Sequence, residues 1–344
     1  MRHVSARRVV TVAFLLLGAC APAPAEADSP PAPPWHSKYQ LDHPLVGRLW
    51  VPAEARFVTP DETVDRLATA DFVLLGEQHD NPDHHRLQAW VIARLAARGR
   101  RPALAVEMLT TDQQPALDSY LAAHPSDAAG IGQAVGWADS GWPAWPNYEP
   151  IFAAALAAGM PIRAANLPHE TLRRVVLDGL TAALGPARVA ALQLEPGLPP
   201  ELEKRLEAEI VESHCNQLPD SMIRPMAVAQ QVRDAVMAEA MVKAAALPGR
   251  DGAVLVAGNG HARRDRGVPY RLARVAPERS VASLGLFEVA AGAEAPADYA
   301  ARFDGSLPFD VIWFTPVADP TDPCERFAGQ LQRARDGEDG GDSP

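Results

Sequence analysis

Six short apolar runs, at 72–75, 103–106, 161–165, 253–257, 281–288 and 311–314, alternate along this chain with stretches of helical periodicity. Runs of this length, apolar at nearly every position, read as strands buried on both faces. Such strands with helices between them build a largely parallel sheet covered on two sides. The expected fold is therefore α/β, a three-layer α/β/α arrangement. One helix is well marked over 83–98: Asn81 suits the N-cap, Pro82 the first helical position, and Leu87, Trp90, Val91 and Leu95 form one stripe. Between about 177 and 247 no strand pattern occurs and Ala-rich, charged helical patterns dominate, which predicts a helical insertion.

The first twenty residues stand outside that pattern. Arg2, Arg7 and Arg8 precede an apolar run over 9–17, too short to span a bilayer. It ends in Leu17-Gly18-Ala19-Cys20, small residues before a cysteine, as in signals cleaved after the thiol is acylated. The expectation is a signal peptide over 1–20, export by the general route, and a lipid on Cys20. By likeness to other lipoproteins, Ala21 points to the outer membrane. Residues 21–36 hold six prolines, so 21–42 is expected to be a semi-extended tether, reaching some ~50 Å at ~3 Å per residue. The domain proper is expected over 43–320. A tail follows over 321–344, with acidic, glycine-rich last residues that cannot bury a core.

Charge narrows the partners. The chain carries a net −11, near −14 without the three leader arginines. That balance argues against nucleic acid. Apart from Cys20, the cysteines are Cys215 and Cys324. In an oxidising compartment they could pair; the alternative is two separate buried thiols.

The chemistry concentrates where apolar runs end. After 72–75 the chain continues Gly76-Glu77-Gln78-His79-Asp80-Asn81-Pro82-Asp83-His84-His85. Open α/β sheets bind ligands at the carboxyl ends of their strands, and Glu77 and His79, two apart, can face one side of a turn. A second run ends in Val106-Glu107-Met108, and a third in Gly258-Asn259-Gly260-His261-Ala262-Arg263. Gly-x-x-His therefore occurs twice, each time after a strand. Such a set can bind a metal or act as acid and base; the bland alternative is polar residues that only brace loops. Glu107 could equally pair with an arginine at the sheet edge. Trp137, Trp142, Trp145 and Tyr148 form an aromatic segment that could line an apolar pocket or build a satellite core. Met222, Met226, Met237 and Met241 fall in the helical region and read chiefly as packing. The chain has no Gly-x-Ser-x-Gly turn, phosphate-binding loop, Cys-x-x-Cys pair or c-type haem attachment motif.

The stretches 43–47, 74–85, 106–108 and 258–263, with the Cys20 box, resemble the ChaN-like haem-binding lipoproteins, which belong with the TraB, Tiki and erythromycin-esterase proteins. The resemblance runs over about 43–317. It implies an α/β/α fold, a role in haem or iron acquisition, and haem held by a tyrosine, with a histidine nearby, across a homodimer. Tyr148 is the first candidate for that tyrosine and Tyr270 the second. His79, His261 and Arg263 would complete the cofactor site, Arg263 or Arg233 pairing with a propionate. The Tiki-like relatives imply an alternative, a hydrolase with Zn or Mn held by His79, His261 and Glu107 and a water activated by Glu77. The expectation for partners is a membrane reached through the lipid and a haem or small-molecule ligand.

Overall fold

The computed structural model describes residues 34–329, except 304 and 327. Cys20, the signal over 1–20, most of the expected tether and the end of the tail lie outside the described residues. Residues 34–42 are expected in the tether, but 35–39 touch the domain. The backbone N–H groups of His36 and Ser37 each donate to the Asp83 carboxylate at 2.8 Å. Tyr39 bridges to Val317. The domain therefore begins before residue 43.

All six expected strands form, each within a residue or a few of the expected ends. A short hairpin, β1 (Leu49–Val51) and β2 (Arg56–Val58), precedes helix α1 (Pro60–Ala68). Then come β3 (Phe72–Glu77), α2 (Pro82–Ala97), β4 (Ala103–Thr110), α3 (Gln114–Ala123), α4 (Ile131–Ala134), α5 (Trp145–Ala157) and β5 (Ile162–Asn166). Five helices follow without a strand: α6 (His169–Asp178), α7 (Leu180–Leu184), α8 (Pro186–Ala191), α9 (Pro200–Ser213) and α10 (Asp220–Ala245). The chain returns to the sheet as β6 (Ala253–Gly258), α11 (Asn259–Ala262), α12 (Val268–Val275), β7 (Val281–Glu288) and β8 (Val311–Thr315). The sheet order is β2-β1-β8-β7-β3-β6-β4-β5. From β8 to β5 every pairing is parallel; β1 joins β8 and β2 antiparallel at one edge. That hairpin escaped the sequence reading because its three-residue strands are too short for a periodicity to register.

Alternation along the strands divides the core into two. Val73, Leu75, Leu104, Val106, Val254 and Val256 face α1, α2 and α5. Phe72, Leu74, Ala105 and Leu255 face the other way, against Met237 and Met241 of α10 and Leu272 of α12. Two fully packed faces give the three layers. At the start of α2, the Asn81 side chain accepts from the N–H groups of Asp83 and His84, as expected of its N-cap. The pairing Glu77↔Gly258 aligns the ends of β3 and β6, and Val106↔Val256 puts the end of β4 beside them. The three polar turns thus emerge at one sheet edge. Cys215, just after α9, is disulfide-bonded to Cys324, with Cα atoms 5.5 Å apart. The bond ties the helical insertion to the segment after β8. No helix among the described residues is long and apolar enough to cross a membrane.

Candidate functional site

Glu77 is the last residue of β3 and is 2% exposed. Its Oε1 accepts from His79 Nδ1 and from the Tyr148 hydroxyl, both at 2.8 Å. His85 Nε2 stands 3.5 Å from the same oxygen. Burial pushes the Glu77 carboxyl up, but His85 and His79 outweigh it and hold the group well below the usual range. Its second oxygen, Oε2, is buried without a hydrogen-bond partner, as are both ring nitrogens of His85. Buried polar atoms are seldom left unpaired, so three on two neighbouring side chains mark this spot as unusual.

Unlike Glu77, His85 and Tyr148, His79 reaches solvent, with 37% of its side chain exposed. An ionised carboxylate can only accept, so Nδ1 carries a proton, and in the neutral ring Nε2 keeps its lone pair. Nε2 makes no hydrogen bond to the described residues and lies over the backbone of Gly258. A Cβ at 258 would stand 2.9 Å from it. Gly76 has a comparable role, since a Cβ there would meet Asn259 Oδ1 at 2.2 Å. The two glycines let the two turns touch. Burial lowers the His79 pKa, Glu107 and Glu77 raise it, and the net shift is upward. Trp142 meets the His79 ring edge-on, with centroids 4.8 Å apart.

β4 supplies Glu107, three residues before its end at Thr110, and the carboxylate is fully engaged. Its Oε2 accepts from Gly258 N at 2.7 Å. Its Oε1 pairs with Arg233 of α10 and lies 3.4 Å from His261 Nε2. His261 Nδ1 in turn donates to Asp234 at 2.6 Å. Burial lowers the His261 pKa and Glu107 raises it; with Asp234 the balance is upward, to about 9. Burial raises the Asp234 pKa.

The four residues expected to converge, Glu77, His79, Glu107 and His261, are thus brought to one edge. They do not form a metal cage. Among the described residues, no three His, Cys, Asp or Glu side chains are placed to hold a metal ion. Glu107 and His261 are closed off by Arg233 and Asp234, so the Zn or Mn alternative finds no support in this donor set. Arg263 is also not free. Its guanidinium is 4% exposed and pairs with Glu209 and Asp265, each at 2.6 Å, which leaves no face for a propionate. Tyr148 is fully buried and its ring packs on His85 at 3.9 Å between centroids. It braces Glu77 and offers no open face to iron. Tyr270 packs beside Leu198 and Leu206 of the insertion. The aromatic segment is mostly a satellite core: Trp137 is buried against Trp145, Tyr148 and Phe152, and Trp142 alone reaches His79.

Sequence reasoning missed Asp234 and the part played by His85. Asp234 sits mid-helix among apolar residues of α10, a position whose burial no local pattern announces. His85 lay in the motif, and its one-turn offset from Asn81 was the available signal. His84 is a structural neighbour. Burial takes its pKa down to about 3, and its ring accepts from Gln78 N and meets Thr315 Oγ1.

Beside this edge lies a cleft of about 340 Å³ between α6, α9 and α10. Leu172, Val176, Ile210 and Met226 give it apolar walls, and Gln230 and Arg233 line it toward His261 and Glu107.

A family profile described as haem-binding uptake, Tiki superfamily, ChaN matches residues 63–272. The chain belongs to the ChaN-like haem-binding uptake family. The match spans all of β3 to α11 and so contains every residue of the edge just described. Among solved structures, this ChaN-like chain is similar to one titled cofacial heme binding to ChaN of Campylobacter jejuni. The TM-score is 0.56 at 18% identity, over 77% of this chain and 95% of that one. An erythromycin esterase in its open conformation scores 0.42 at 14% identity, over 80% and 99%. The type III effector HopBA1 scores 0.41 at 11% identity, over 79% and 98%. No curated protein matches the chain.

Proposed function

We propose that this ChaN-like protein is an exported, lipid-anchored haem binder whose iron contact is His79. The observation that carries the reading is the state of that ring. Nδ1 is fixed by a buried carboxylate, while the side chain is partly exposed and Nε2 has no hydrogen-bond partner among the described residues. A histidine whose second nitrogen is held by a carboxylate is a strong, oriented iron ligand. A porphyrin also needs an apolar bed. Trp142 and the cleft walls beside Arg233 supply one, and Arg233 sits where a propionate could compete with Glu107 for it. Haem held there would supply the iron; the chain's part is to orient His79 and to cover apolar porphyrin surface. His79 reaches one porphyrin face only, which leaves the other for a second copy of the chain in a homodimer.

Cys20 would carry the lipid, and the prolines after it would hold the domain off an outer-membrane surface. A disulfide suits the oxidising compartment that export implies. Titration of the full chain with haemin, followed at the Soret band, tests the reading. Saturable uptake by the wild type, weakened at least tenfold in His79→Ala, is expected. Uptake that never saturates, or that is the same in both proteins, would sink it.

A further inference from the structure

A cavity of about 200 Å³ opens between α8, α10 and α12. Its walls are apolar, with Leu192, Ala238, Val242 and Val275 among them. Arg271 lines it and is 2% exposed. A buried guanidinium is ordinarily matched by a carboxylate. Arg271 has none. Its terminal nitrogens make two long contacts, 3.3 Å to the Gln193 carbonyl and 3.4 Å to Gln231 Oε1. Its Nε has no hydrogen-bond partner among the described residues. The nearest buried acid, Asp234, is taken by His261.

The rim repeats the bias. Arg274 and Lys243 add two positive charges there. The one acid, Glu239, is already held by Arg188 and Lys243. The cavity is thus locally cationic in a chain of net charge −11. Burial also pulls the Arg271 pKa down, and an incoming anion would reverse that penalty.

We infer that this cavity is a second ligand site, which takes a short-chain aliphatic carboxylate with its head on Arg271 and its tail between α10 and α12. A chain of about half a dozen carbons fits, at roughly the 30 Å³ that a water occupies for each. The carboxylate supplies the acceptor that Nε lacks, in the paired geometry an arginine favours. The apolar walls take the tail. The site does not depend on haem binding at His79.

Calorimetric titration of the full chain with hexanoate, and separately with hexanol, is the test. Val242→Trp fills the mouth of the cavity and keeps Arg271. Arg271→Gln removes the charge. Saturable one-to-one hexanoate binding is expected, at least tenfold tighter than hexanol, and lost in Val242→Trp with the fold intact by circular dichroism. Arg271→Gln should weaken it at least tenfold; if that variant does not fold, the alcohol comparison and Val242→Trp decide. Absence of hexanoate binding, equal binding of the alcohol, or binding untouched by Val242→Trp would overturn the assignment.

Discussion

Glu77 Oε1 and His79 Nδ1 are 2.8 Å apart, one buried and the other partly open, so a closed core holds an accessible ring in one orientation. The Tyr148 hydroxyl reaches the same oxygen at 2.8 Å and fixes the carboxylate in turn. The ring therefore sits two residues past a strand end, held in place by a buried carboxylate.

If Glu77 positions the iron ligand, its loss should affect haem without abolishing binding. Glu77→Gln keeps the shape and removes the charge. Outer-shell changes of this kind cost about 10–100-fold in affinity. A haemin titration should show that loss with the spectrum of the bound state retained. An unchanged dissociation constant would show that the pair is structural only.

Arg233 neutralises a carboxylate that is 1% exposed. Breaking a buried pair by removing one partner costs about 3–5 kcal/mol. Arg233→Ala should fall near the lower end, because His261 remains 3.4 Å from Glu107. Denaturant unfolding should show it, and Arg233→Ala with Glu107→Gln should recover part of the loss. A double variant no more stable than the single one contradicts this.

His261 makes stability depend on pH. Its folded pKa, about 9, lies above the 6.5 of the unfolded chain. The folded state therefore binds the proton more tightly, and the stabilisation is complete below about 6.5 and lost as pH rises through about 9. Melting temperature should fall between those values in the wild type and fall less in His261→Gln. Parallel profiles for the two proteins would count against it.

The Cys215–Cys324 bond closes a sequence separation of 109 residues. Loop entropy sets its contribution at no more than about 4–5 kcal/mol. Reduction should lower the melting temperature, and Cys215→Ser should reproduce the effect without further response to reductant. A melting curve indifferent to reductant would remove the bond from the account.

The parallel sheet, the α2 cap and the helical insertion were legible because each leaves a long or repeated pattern in the sequence. So were the two Gly-x-x-His turns, since a glycine followed by polar residues after an apolar run marks a strand end. The short hairpin at the sheet edge was not. Nor was the division of labour within the site. Tyr148 lies 71 positions from Glu77 and Asp234 lies 27 from His261, so only the packed fold reveals that one braces a carboxylate and the other a histidine. Arg263 read as a free cation although Asp265 stands two residues on; its other partner, Glu209, lies in α9, 54 residues earlier.

The most direct measurement is the electron paramagnetic resonance spectrum of the ferric haem complex, recorded for the wild type, His79→Ala, Tyr148→Phe and Tyr270→Phe. The account predicts a histidine-ligated signal that disappears in His79→Ala and survives both tyrosine substitutions. A tyrosinate-type signal that persists in His79→Ala and is lost in Tyr148→Phe or Tyr270→Phe would contradict it.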